Sequence, residues 1–197
     1  MRIELKIVDF LARNMDEKFT INKVAKAVGE HYSLVHRTIN KLVNEKVVIR
    51  TKVGKSYLCS LNLENEKSLT LIQLSEIEKR NEFYEKNKKL KLILEDFVNS
   101  VKSQSKNIIS IVLFGSHAKG TATKESDIDI LLISKGKIEI EKITREMYAK
   151  YGKEISTLII TQSDFEKQKN KAVIKEIIRS HYVLYGVENF VNLVFKK

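Results

Sequence analysis

The sequence predicts a two-domain α+β chain: a small domain of three helices and a β hairpin, a long helical connection, and a C-terminal α/β domain. Three observations carry this. Before residue 45, apolar residues recur at helical spacing in three short segments, and two β-rich runs follow. Residues 68–104 contain neither Gly nor Pro. Beyond them, "SIVLFG", "DIDILLI" and "KEISTLIIT" have the length and β-branched content of strands. At 197 residues the chain suits one large domain or two small ones.

Composition narrows the class. With 43% hydrophobic and 31% charged residues, and no apolar stretch near the roughly 18 residues of a membrane span, a soluble protein with no membrane partner is expected. "MRIELKIVDFLARN" mixes charge with apolar residues and lacks the features of a signal peptide, so a cytoplasmic location is expected. The single cysteine, Cys59, offers neither a disulfide nor a metal cluster and reads as packing. The net charge of +11 is uneven: 12 Lys and Arg against 6 Asp and Glu make residues 1–62 the most basic third, a bias that favours polyanionic partners.

The elements follow in order. Ile3, Ile7, Val8 and Leu11 make an amphipathic first helix. "FTINKVAKAVG" reads as a short helix capped by Thr20, with Ile21, Val24, Ala25 and Val28 inward and Gly29 at its end. In "HYSLVHRTINKLVNEKVV" the buried set is Leu34, Val35, Ile39, Leu42 and Val43, which leaves His36, Arg37, Asn40 and Lys41 on a polar, basic face. "VVIRTK" and "SYLCSLN" then form a hairpin through "VGK", with Lys52 and Lys55 near its tip.

Three helices and a basic hairpin over residues 1–62 resemble the winged helix-turn-helix family. The resemblance implies a DNA-binding domain whose third helix enters the major groove and whose hairpin touches the backbone or minor groove. Arg37 then suits a guanine edge, Asn40 an adenine edge or phosphate, and Lys41, Lys52 and Lys55 phosphates of double-stranded DNA. Winged helices also mediate protein contacts, and that alternative stays open.

Residues 68–104 run in helical period through Leu71, Leu74, Ile77, Phe83, Leu90, Ile93, Leu94, Phe97 and Val101, as one long connecting helix or two abutting ones. The charged middle, "EKRNEFYEKNKK", reads as a solvent-exposed bridge, with a homodimer contact as an alternative use.

The most specific signal lies in residues 105–197. "SIVLFG" ends at Gly115, and Ser116 begins a short helical segment whose free N–H groups suit a phosphate. Ten residues beyond Ser116 comes "DIDILLI", and the strand period of two puts Asp127 and Asp129 on one face. Two such carboxylates repel unless a divalent cation such as Mg²⁺ bridges them to substrate phosphates.

Gly-Ser, ten residues, then Asp-x-Asp, with Gly120 in the loop and Ser126 before the first aspartate, resembles the minimal nucleotidyltransferase branch of the DNA polymerase β superfamily over about residues 85 to 195. The resemblance implies a mixed sheet with flanking helices. It assigns Gly115, Ser116 and Ser126 to a nucleoside triphosphate, ATP by expectation, and Asp127 and Asp129 to catalysis and Mg²⁺. It also implies a third carboxylate on the next strand, but aligning "GKEISTLIIT" puts Ser156 there, with Glu154, two residues earlier, as the candidate substitute metal ligand. Lys119 and Lys124 are loop cations that suit either phosphates or solvent.

The expected function is Mg-dependent transfer of a nucleoside monophosphate from an NTP to an acceptor hydroxyl on a protein, small molecule or RNA. Relatives of this kind pair with HEPN-type toxins as antitoxins, which is what the resemblance implies for a partner. The alternative is a winged-helix transcriptional regulator whose degenerate transferase domain senses nucleotide.

Overall fold

A computed structural model describes residues 1–54 and 56–195. Lys55, one of the expected wing lysines, lies outside the described residues. The described chain divides into two compact units, Met1–Glu78 together with Phe195, and Lys79–Val194.

In the first unit, α1 (Ile3–Arg13), α2 (Ile21–Val28) and α3 (Tyr32–Asn44) pack beside a small antiparallel sheet of β1 (Phe19–Thr20), β2 (Val48–Val53) and β3 (Ser56–Leu61), in the order β1-β3-β2. Helical spacing dictates the core: Leu5, Val8, Val24, Val35, Ile39 and Leu42 are fully enclosed. The Thr20 hydroxyl accepts the Lys23 N–H at 3.3 Å and starts α2, and Gly29, at φ 68°, ends it in the left-handed region. Cys59 is buried on β3, and its thiol is pushed up by burial, in keeping with a packing role.

α4 (Glu66–Lys86) carries the chain into the second unit and is followed by α5 (Lys88–Gln104). The Gly- and Pro-free stretch is therefore two helices that break at Asn87, whose side chain donates to the Phe83 carbonyl at 2.9 Å and closes the end of α4.

The second unit is built on a mixed sheet of β4 (Ile108–Phe114), β5 (Ile128–Ser134), β6 (Ile155–Thr161) and β7 (Tyr182–Tyr185), in the order β6-β5-β4-β7. β5 runs antiparallel to β4 and parallel to β6, through α7 (Glu141–Tyr151), and β7 runs antiparallel to β4. Ile111, Leu113, Ile128, Ile130 and Leu132 face one way and pack with Leu94, Phe97 and Val101 of α5 and Ile143 and Met147 of α7. Because both sheet faces are covered, Val112, Leu131 and Ile133 between them are equally enclosed. The remaining helices are α6 (Gly115–Lys119), α8 (Gln162–Gln168), α9 (Ala172–Arg179) and α10 (Val187–Phe195). None of the described helices is long and apolar enough to cross a membrane.

Candidate functional site

The site grows out of one alternation. Ile128 and Ile130 are buried in the core, so Asp127 and Asp129 fall on the opposite face at the N-terminal end of β5, with Asp127 exposed and Asp129 partly covered. Antiparallel pairing sets Phe114 opposite Asp129, which brings the Gly115 turn over the carboxylate. Gly115 is at φ 69°, and a Cβ there would overlap the Asp129 carboxylate and lie 2.7 Å from its Cγ. Glycine is required both by the backbone and by the close approach.

Electrostatics at Asp129 follow from this crowding. Burial, and then the neighbouring Asp127 carboxylate, hold its carboxyl above the ordinary aspartate range. His117, the Ser116 backbone N–H and Lys119 act in the opposite direction. The Ser126 hydroxyl accepts the Thr123 N–H at 2.9 Å and pins the end of the loop just before Asp127. Lys119 is paired with Glu176 at 2.5 Å, and the Lys124 carbonyl accepts from the Lys153 ammonium.

Parallel register brings the next strand alongside. Ser156 stands beside Asp129, and the Ile128 N–H donates to the Glu154 carbonyl at 2.9 Å, which places Glu154 alongside Asp127 on the same face of the sheet. Glu154 is exposed and also borders a hollow of about 330 Å³ with Arg145 and Tyr148. Among the described residues, no three His, Cys, Asp or Glu converge as a ready-made metal site. Two carboxylates alone still fit Mg²⁺, which is commonly held by one or two carboxylates with substrate phosphates and waters completing the shell. They do not fit a metal that needs a full protein cage.

Two features beside the turn escaped sequence reasoning. His117 keeps its Nε2 buried with no hydrogen-bond partner among the described residues. Lys86, Lys88 and Lys89, read from the sequence as a solvated bridge, line a cleft with His117 and Thr123. Helical periodicity gives no sign of this, because it says which face of a helix is polar and not what stands opposite.

In the first unit, Arg37, Lys41 and Lys52 are exposed and Asn40 is half-buried. Asn40 accepts from Arg50 at 2.9 Å and contacts His36 at 3.3 Å, while Arg50 also lies over the Tyr57 ring at 4.9 Å. Lys41 sits 3.7 Å from Glu4 and 3.9 Å from Glu45, so part of its charge is already answered. Arg50 was not singled out from the sequence, because nothing in a strand pattern tells that it reaches back to α3.

This chain is similar to known proteins, and the family match falls within the second unit. The family described as "Nucleotidyltransferase domain" matches residues 94–185. "Putative protein adenylyltransferase MJ1305" of Methanocaldococcus jannaschii is 33% identical over 112 residues, spanning 52% of this chain and 76% of the relative. A second protein of that organism with the same description, MJ0604, is 33% identical over 96 residues, spanning 47% of this chain and 94% of the relative. A solved structure described as "Crystal structure of the toxin-antitoxin with AMP-PNP" superposes with a TM-score of 0.42 at 14% identity, over 51% of this chain and 79% of that one.

Proposed function

We propose, since this chain belongs to the nucleotidyltransferase domain family, that it transfers a nucleoside monophosphate from ATP to a hydroxyl group on a protein. The observation that carries the reading is the packing of the Gly115 turn against Asp129, beside Asp127 on the same strand face. Gly115, Ser116 and Ser126 shape the turn that receives the triphosphate. Asp127 and Asp129 would hold Mg²⁺, and Glu154, alongside Asp127 in the strand register, would be the candidate third carboxylate. When bound, the metal supplies charge neutralisation of the phosphates and alignment of the leaving group. The acceptor oxygen bonds to the α-phosphorus as the bond to the β-phosphate oxygen breaks; pyrophosphate leaves, and the hydroxyl proton passes to solvent. The protein acceptor is taken from what the two relatives are named for, and a HEPN-type partner follows from the motif resemblance.

The first unit, in this reading, is a winged helix-turn-helix that binds double-stranded DNA through Arg37, Asn40, Lys41 and Lys52, with Arg50 orienting Asn40. A second reading has its own support: Ser156, with no charge to offer, stands beside Asp129 where a third carboxylate is expected. That favours a DNA-binding regulator that senses nucleotide without turning it over.

Incubation of the chain with α-labelled ATP, Mg²⁺ and cell extract separates the two. Label on a protein, lost in Asp127→Asn/Asp129→Asn, is the expected result. Retained nucleotide binding with no labelled acceptor selects the sensor.

A further inference from the structure

We propose that the lysine-lined cleft beside the Gly-Ser turn is a phosphate-binding subsite separate from the aspartate pair. The inference rests on the transferase reading above for its substrate. The cleft, about 670 Å³, is large enough for a nucleotide-sized group. Lys86, Lys88 and Lys89 line one wall, and His117, Gly120 and Thr123 line the other. It continues past Lys86 and His117 into a smaller hollow of about 290 Å³. Neither hollow is lined by Ser116, Asp127 or Asp129, so an anion held here would be additional to one at the carboxylates.

Charge makes the cleft unusual. Lys86, Lys88 and Lys89 are all exposed, and no ion pair or hydrogen bond engages any of their ammonium groups among the described residues. Glu85 is the one acidic residue lining the larger hollow. Two of these lysines occupy the first turn of α5, which has no acidic residue and no side-chain cap. Cations there oppose the helix dipole. Lys119, across the turn, is by contrast neutralised by Glu176. The floor is firm: Phe83 stacks on Tyr182 with ring centroids 4.2 Å apart. Unanswered cations lining one concave site focus positive potential there, and a phosphoryl group in the cleft is attracted by them. His117 also lines the cleft, although its Nε2, which has no hydrogen-bond partner among the described residues, is buried and not presented to the hollow.

The shared chemistry is phosphoryl oxygen, and it has two sources: the distal phosphates of the donor nucleotide or the phosphodiester backbone of a bound nucleic acid. Calorimetry on the full chain distinguishes them, with ATP, inorganic tripolyphosphate, adenosine and a short single-stranded oligoadenylate as probes. Lys86→Gln/Lys88→Gln/Lys89→Gln should lower affinity about tenfold for ATP and tripolyphosphate if the donor is the source. If a bound nucleic acid is the source, the oligoadenylate should lose about tenfold while ATP is unchanged. Adenosine should be indifferent in both cases. A lysine variant that binds every probe as the native chain does overturns the inference, as does a native chain that binds none of them. If every probe binds the lysine variant as it binds the native chain while ATP affinity falls in Asp127→Asn/Asp129→Asn, the transferase reading stands without this subsite; if ATP affinity falls in the lysine variant but not in Asp127→Asn/Asp129→Asn, the cleft binds phosphate and the assignment of the aspartate pair fails.

Discussion

Gly115 and Asp129 are within contact distance although fourteen positions apart, and each constrains the other. A Gly115→Ala change would put a methyl group into the Asp129 carboxylate on a backbone at φ 69°. It should cost about 1–3 kcal/mol in denaturant melts and remove transfer activity with it, because the turn and the carboxylate must both move. The pH dependence follows from the raised Asp129 carboxyl. Its folded pKa lies above the unfolded value of about 4, so the folded chain gains the proton first as pH falls. Ionised Asp129 therefore subtracts from stability at neutral pH, and the loss is recovered as pH drops through the folded value. Asp129→Asn should raise the melting temperature of the metal-free chain at pH 7, with the gain shrinking toward pH 4. Asp96 acts in the opposite sense: hydrogen bonds from Lys150 and then Tyr151 lower its carboxyl, and that contribution is lost as pH falls through its folded value.

At the level of elements, the sheet register decides what the third carboxylate position can do. The order β6-β5-β4-β7 puts Ser156 beside Asp129 and Glu154 alongside Asp127. Ser156→Asp should raise transfer rate or Mg²⁺ affinity, since it restores a ligand on a strand already aligned with the pair. Glu154→Gln should abolish a measurable native activity if Glu154 is the substitute ligand; single-turnover labelling with each variant reads both. The strands and the face shared by the aspartates were legible because one-residue alternation is a local property. The strand partners were not, since local sequence does not say which strand lies next to which. Nor was the helix break at Asn87, which depends on a side-chain bond to Phe83 in a stretch with no Gly or Pro. The lysine cleft was hidden for the same reason: "EKNKK" reads as a wet helix until the Gly-Ser loop is placed opposite.

For the whole molecule, charge distribution links the two proposed activities. Residues 1–62 carry the greatest positive excess, and the exposed Arg37 and Lys52 in that unit are available to phosphates. Duplex DNA binding by the full chain should weaken steeply with salt, and Lys52→Gln should flatten the log–log slope by about 0.9 with no change in sequence preference. Arg37→Ala should instead cost about 1–3 kcal/mol at one base position. Gel shifts across a salt series distinguish the two, and no retardation at any salt would make the first unit an adaptor. The central claim, however, belongs to the second unit: Asp127 and Asp129 hold the metal and nucleotide on which transfer depends. Calorimetric titration of ATP in the presence of Mg²⁺ tests it most directly. Outer-shell changes at metal sites typically cost 10–100-fold, so Asp127→Asn/Asp129→Asn, which removes the carboxylates themselves, should weaken Mg²⁺-dependent ATP binding by more than about a hundredfold while the fold is retained. Unchanged affinity in the folded double variant would contradict the account.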